Sequence, residues 1–196
     1  MAEKKLAPLK MIHLFDKIDI VPLPDGFTCR TFRKGEEEIW VNICKCGIIK
    51  EDADVEAEWQ KRIVKEPMDP EKDVFFVCDE TGKPVATFAG YVLADGTGNV
   101  HMVAAAPEAR GKGLGKYMVS AVLQKMAKEV PAETHMLRLT THDFRLPAVC
   151  GYLKGGFHPV LYDEGMEERW RKVCEELNFH GVEMLNFDGT PTGIIL

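Results

Sequence analysis

From residue 27 onward the chain switches repeatedly between two hydrophobic periods. Phe27-Thr28-Cys29-Arg30-Thr31-Phe32-Arg33 alternates in the manner of a half-buried strand, and Lys34-Gly35 ends it. Glu36-Glu37-Glu38 then opens a helix through Trp40 and Ile43 to Cys46, with Gly47 as its stop. Asp54 is placed to cap a second helix over Val55 to Glu66, which Pro67 ends. Both acidic clusters read as helix starts on a solvated face; the sharper alternative is that they line an amine pocket. Asp73 to Asp79 and Val85 to Leu93 are apolar runs around the turn Glu80-Thr81-Gly82-Lys83-Pro84, a hairpin. A second turn, Ala94 to Gly98, leads into Asn99 to Ala106 and completes an antiparallel meander.

The period then changes. Leu114, Met118, Val122 and Met126 recur every four residues, which predicts a helix of about four turns stopped near Pro131. Met136 to Thr141 is the next strand, and a helical crossover makes it parallel to its predecessor. Leu146 to Lys154 reads as a short helix, Phe157 to Tyr162 as a strand and Glu164 to Leu177 as a charged amphipathic helix. Pro22 and Pro24 argue that residues 1–25 are an amino-terminal arm packed on the domain. Asn178 to Leu196 carries little pattern and reads as a carboxy-terminal tail. No linker or repeat divides the 196 residues, so the expectation is one α/β domain spanning 1–196.

Charge and cysteines narrow the function classes. A formal net charge of -6 argues against general nucleic-acid binding. Met1 to Lys10 lacks the apolar core of a signal peptide, and no run is long enough to span a bilayer. The six cysteines are scattered except for Cys44 and Cys46, too few together for a zinc site. The expectation is a reduced, cytoplasmic protein with no metal, no membrane and no nucleic-acid partner.

One stretch stands apart. Arg110-Gly111-Lys112-Gly113-Leu114-Gly115-Lys116 joins the strand ending at Ala106 to the long helix. Glycines permit tight turns with close backbone approach, and a helix amino-terminus offers unpaired N–H groups and a positive dipole end. The combination is an anion site suited to a pyrophosphate. A nucleotide P-loop would need glycine at Arg110 and a hydroxyl at Tyr117; a dinucleotide fingerprint would need glycine at Lys116. Both readings fail on residues their chemistry requires.

The loop resembles the acetyl-coenzyme A loop of the GNAT acetyltransferase superfamily. That signature, [RQ]-x-x-G-x-[GA] between a strand and a helix, is met by Arg110, Gly113 and Gly115. A second signature is met by Ala148, Tyr152 and the pair Gly156-Phe157, although Arg145 stands where the family usually has asparagine. The resemblance covers about two-thirds of the chain. It implies the GNAT acyl-CoA N-acyltransferase fold, a mixed, mostly antiparallel sheet with helices on both faces. It implies an enzyme that moves acetyl from acetyl-CoA to a primary amine of a small molecule by direct attack in a ternary complex. Two alternatives stay open: an acyl-CoA-binding regulator without turnover, and acetylation of protein amino groups. Family habit makes a homodimer an expectation without an independent sign in the sequence.

The resemblance also implies residue roles. Val103, Ala104 and Ala105 would pair through their backbone with the pantetheine arm, and the Val103 N–H would be the oxyanion donor. Backbone N–H groups of Gly111, Lys112, Gly113, Leu114, Gly115 and Lys116 would hold the pyrophosphate, with Lys112 and Lys116 adding charge. Tyr152 corresponds to the general acid that protonates the departing thiolate. His101, nine residues before Arg110, corresponds to a histidine that deprotonates the amine; His142 and Asp143 compete for that role.

Overall fold

The computed structural model describes residues 6–196; Met1 to Lys5, part of the stretch read for a leader, lie outside the described residues. In chain order the elements are β1 (Leu9–His13), β2 (Thr28–Thr31), α1 (Glu37–Lys45) and α2 (Val55–Trp59), which continues as a π-helical turn over Gln60–Val64. Next come α3 (Pro70–Asp73), β3 (Val74–Cys78), β4 (Pro84–Val92), β5 (Gly98–Ala105) and α4 (Leu114–Glu129). The chain closes with β6 (Leu137–Thr141), α5 (Leu146–Lys154), β7 (His158–Leu161), α6 (Met166–Glu176), β8 (Val182–Asn186) and β9 (Pro191–Ile195). All nine strands join one sheet in the order β2-β3-β4-β5-β6-β1-β7-β8-β9. Pairing is antiparallel except between β5 and β6 and between β7 and β8. This is the mixed, mostly antiparallel architecture expected.

Helices cover both faces because both faces of the central strands are apolar. On one side Trp40 of α1 and Trp59 of α2 meet edge to face at 5.4 Å, and Phe32 stacks on Trp59 at 4.9 Å above Phe76 of β3. On the other, Leu114, Met118, Val122 and Met126 of α4 are all buried, the four-residue stripe visible in the sequence. Aromatic pairs of this kind add about 0.5–1.5 kcal/mol beyond the area they bury.

Three expectations need correction. The amino-terminal arm contains a strand: β1 lies inside the sheet, antiparallel to β6 (Met11 opposite Leu139) and to β7 (Met11 opposite Pro159). Pro22 and Pro24 fall well after it, and the strand is buried on both faces, so it shows no polar alternation. Only the following segment behaves as an arm. It is pinned to α4 where the Ser120 hydroxyl donates to the Asp19 carbonyl and accepts from the Val21 amide. The carboxy-terminal tail is likewise a hairpin, β8 and β9, which extends the sheet beyond β7. The predicted second helix also differs, because its carboxy-terminal half widens into the π turn.

Candidate active site

The site begins where two strands part. β5 and β6 pair only at Gly98–Leu137 and Asn99–Arg138. Beyond those residues β5 runs on to Ala105 and β6 to Thr141 with no further pairing between them. The gap opens a cleft of about 1290 Å³, lined from both strands, from the glycine loop, from α5 and from the α1 and α2 regions.

A bulge on the other edge of β5 sharpens this geometry. Thr87 pairs with Ala104 and Ala89 with His101, so Phe88 of β4 faces both Met102 and Val103. Met102 adopts a left-handed φ of 50°. A non-glycine residue there costs roughly 1–2 kcal/mol, a strain that concentrates at functional sites. The extra residue interrupts the ladder and re-aims the strand from Met102 to Ala105. Val103, Ala104 and Ala105 all line the cleft.

The glycine loop closes one end. Gly113, with φ 80°, is the amino-terminal cap of α4 and contributes no side chain to the capping. The Lys116 and Tyr117 amides return to the Gly113 carbonyl, so the amides ahead of them are the ones a helix start leaves to an external acceptor. A Cβ placed at Gly111 or Gly115 would meet no protein atom within 4 Å. At Gly111 a φ of 74° itself calls for glycine, whereas helical Gly115 has neither a conformational nor a packing reason and leaves the backbone open to an anion. Arg110, Gly111, Gly113, Leu114 and Gly115 line the cleft; Lys112 and Lys116 do not. Lys112 holds its ammonium 5.7 Å from the centre of the Phe27 ring. The Arg110 guanidinium donates to the Cys46 carbonyl at the end of α1 and so ties the loop to that helix.

Tyr152 sits across the cleft on α5, only 8% exposed, with its ring edge-on to Phe157 at 5.8 Å. Burial pushes its phenol up to about 12, against the opposing pull of the Arg145 charge. The group is protonated throughout the physiological range. The glycine of the second signature has a packing reason. Gly156 has φ 85°, and a Cβ there would lie 3.0 Å from Nε2 of the buried His13.

His101 lies on β5 in the same cleft. Its Nε2 is 2.8 Å from the Arg62 carbonyl and must donate to it, which leaves Nδ1 as the acceptor nitrogen. That carbonyl is spare for a sequence reason. The Glu66 amide bonds to Ile63 instead, and the next residue, Pro67, has no N–H to offer. Burial lowers the His101 pKa below the ordinary imidazole value, so the ring is neutral at pH 7. Beside it, the Tyr91 hydroxyl donates to Glu66 at 2.7 Å and accepts from Asn99 at 2.9 Å.

The two rival bases fare differently. Asp143 is held by the Arg169 guanidinium at 2.5 and 3.1 Å, which keeps its carboxyl below the usual range and removes it as a base near neutrality. His142 lines the cleft and stacks on Phe144 at 5.3 Å. Two further residues emerge that sequence pattern did not mark: Glu58 and Arg62, an ion pair on the second helix, line the cleft. Arg145, noted in the sequence only as a departure from the second signature, lines it too. Of these, only the Pro67 stop hinted that a carbonyl near residue 62 would be left for a partner.

Comparison with known proteins bears on the family and the fold. The model of the Acetyltransferase (GNAT) family matches residues 38–157. A mycothiol acetyltransferase of Streptomyces bingchenggensis is 34% identical over 141 residues, covering 69% of this chain and 44% of its own. Two crystal structures share the fold. A GCN5-related N-acetyltransferase of Sphaerobacter thermophilus has a TM-score of 0.62 at 22% identity, with 78% of this chain and 48% of that one covered. One of Kribbella flavida has a TM-score of 0.53 at 21% identity, covering 79% and 55%. The chain thus spans about half the length of the relatives it matches.

Proposed function

The chain belongs to the GNAT acetyltransferase family, and from that premise we propose that it transfers acetyl from acetyl-CoA to a primary amine of a small molecule by direct attack in a ternary complex. The observation that carries this reading is the cleft between β5 and β6, with the glycine-loop amides at one end and Tyr152 and His101 facing it. The open space at Gly111 and Gly115 supports a pyrophosphate held by the loop backbone. The unpaired run of β5 supports a pantetheine arm laid along Val103 to Ala105 as an added strand.

A thioester supplies an activated acyl group; the chain's residues do the rest. The Val103 N–H, at the bulge, donates to the acyl carbonyl oxygen and stabilises its growing negative charge. His101, neutral with Nε2–H committed to Arg62, accepts the amine proton at Nδ1, directly or through one water. Tyr152, firmly protonated, hydrogen-bonds to the departing sulfur and passes its proton to it as the C–S bond breaks, and the proton that His101 took from the amine restores the phenol through solvent. The products are the acetamide and free CoA thiol.

The test is initial-rate kinetics with acetyl-CoA and a panel of primary amines, following thiol release and confirming the N-acetylated product by mass spectrometry. Rate lines that intersect when both substrates vary are expected. Thiol release with no amine dependence, or none with any amine, overturns the reading.

A further inference from the structure

The far end of the cleft carries a charge that the fold does not use. Arg145 caps α5 through its backbone carbonyl, which accepts from the Ala148 and Val149 amides, while its side chain plays no part in the cap. The side chain lines the cleft, and its Nε is buried with no hydrogen-bond partner among the described residues. No ion pair to a carboxylate is found for Arg145 among the described residues, Asp143 being held by Arg169, and its guanidinium carbon lies 5.6 Å from the centre of the Phe144 ring. A half-buried cation without a counter-ion is costly unless something brings one. Its surroundings make the cost larger: Arg62 stands near enough to depress Arg145 by like-charge repulsion.

Both guanidiniums surround the reacting centre. Arg145 acts on the Tyr152 phenol, and Nη1 of Arg62 lies 3.8 Å from the sulfur of Met102 at the bulge. Among the described residues Glu58 is the one carboxylate that lines the cleft, and Arg62 and Lys61 already engage it. The chain as a whole carries a net charge of -6, yet this pocket presents cations. A field of that sign draws in an anion, and a planar guanidinium fits a carboxylate or phosphate with two parallel bonds.

We propose that the acceptor amine carries an oxyanion group, a carboxylate or a phosphate, which Arg145 binds with Arg62 beside it. This rests on the acetyltransferase reading and adds the class of acceptor. Arg145 is here a specificity-determining residue; it orients the acceptor so that its amine faces His101.

The experiment uses matched amines that differ in the anion. One arm compares L-phenylalanine with phenethylamine and L-lysine with cadaverine; the other compares O-phosphoethanolamine with ethanolamine. In at least one arm the anionic member should have a kcat/KM about ten- to hundredfold above its partner, the range of charge-assisted hydrogen bonds. Arg145→Gln should bring that ratio close to one, and Arg145→Lys should keep part of it. Melting temperature and acetyl-CoA affinity of both variants check that the fold and the cofactor site persist. Equal or better use of the uncharged partners in both arms overturns the inference, as does a preference that survives in Arg145→Gln. Weaker acetyl-CoA binding in the variant with the ratio intact assigns Arg145 to the cofactor and equally overturns it. Acetylation of other amines but no member of these pairs sinks this inference alone, whereas no thiol release with any amine sinks the reading beneath it.

Discussion

Burial sets the protonation states of Tyr152 and His101, acting in opposite directions. Loss of water raises the phenol to about 12 and lowers the imidazole below 6.5, because in each case it disfavours the charged form. One group is thereby kept as an acid and the other as a base. Tyr152→Phe should lower kcat by about 10²- to 10⁴-fold, the usual contribution of a positioned proton donor, and leave acetyl-CoA affinity unchanged in a calorimetric titration. The ring remains, so its edge-on packing on Phe157 is kept. For His101 the sign is fixed by which form works. In the proposed mechanism the neutral ring is the base, so kcat/KM should fall on the acid side through an apparent pKa below the ordinary imidazole value, and His101→Ala should abolish that limb of the profile. A limb that persists in His101→Ala would assign the base to His142. The sequence left the base open among His101, His142 and Asp143. The decision between His101 and Asp143 rests on Arg169, which lies 26 positions from Asp143 and reaches it only in the fold.

At the scale of elements, what could be read depended on how local the signal was. The long helix α4 announces itself through its four-residue stripe, and the β3–β4 hairpin through its turn residues. The loop Arg110 to Lys116 was legible because glycine at a helix start is a local feature. β1 was not legible, because a five-residue strand buried on both faces looks like any short apolar run. The bulge at Met102–Val103 left no local signal either, since it depends on how β4 and β5 align. Gly115 separates stability from binding on one element. It is helical, and a Cβ there meets no protein atom within 4 Å, so Gly115→Leu should stabilise the fold by roughly 0.5–1 kcal/mol through helix propensity. The same side chain fills the space in front of the loop amides. Acetyl-CoA affinity should drop at least about tenfold, the loss of one or more hydrogen bonds to a charged group. Thermal melting and a binding titration on the same sample read both effects.

Across the whole molecule, the sheet order brings together residues from five separate stretches, and no sequence window contains the cleft. The parting of β5 from β6 is a property of the sheet, as is the placement of β1 on the far side of β6. The global pH response follows from His13, which is buried, and His101, which is half-buried. His13 and His101 both have pKa values lowered first by burial, so the unfolded chain takes up protons that the folded one refuses. Stability should therefore be steady above about pH 7 and fall as pH drops below 6.5, before the paired carboxylates Glu36, Glu58 and Asp143 titrate at lower pH. Melting curves between pH 8 and about 5 measure this, and His101→Ala should flatten the slope. The central claim, that acetyl-CoA occupies the gap between β5 and β6, is tested most directly by titrating it into isotope-labelled protein and following backbone amide resonances. The account predicts that the largest shifts fall on Val103 to Ala105 and on Gly111 to Lys116. Saturable binding that leaves those amides unmoved and shifts others would contradict it.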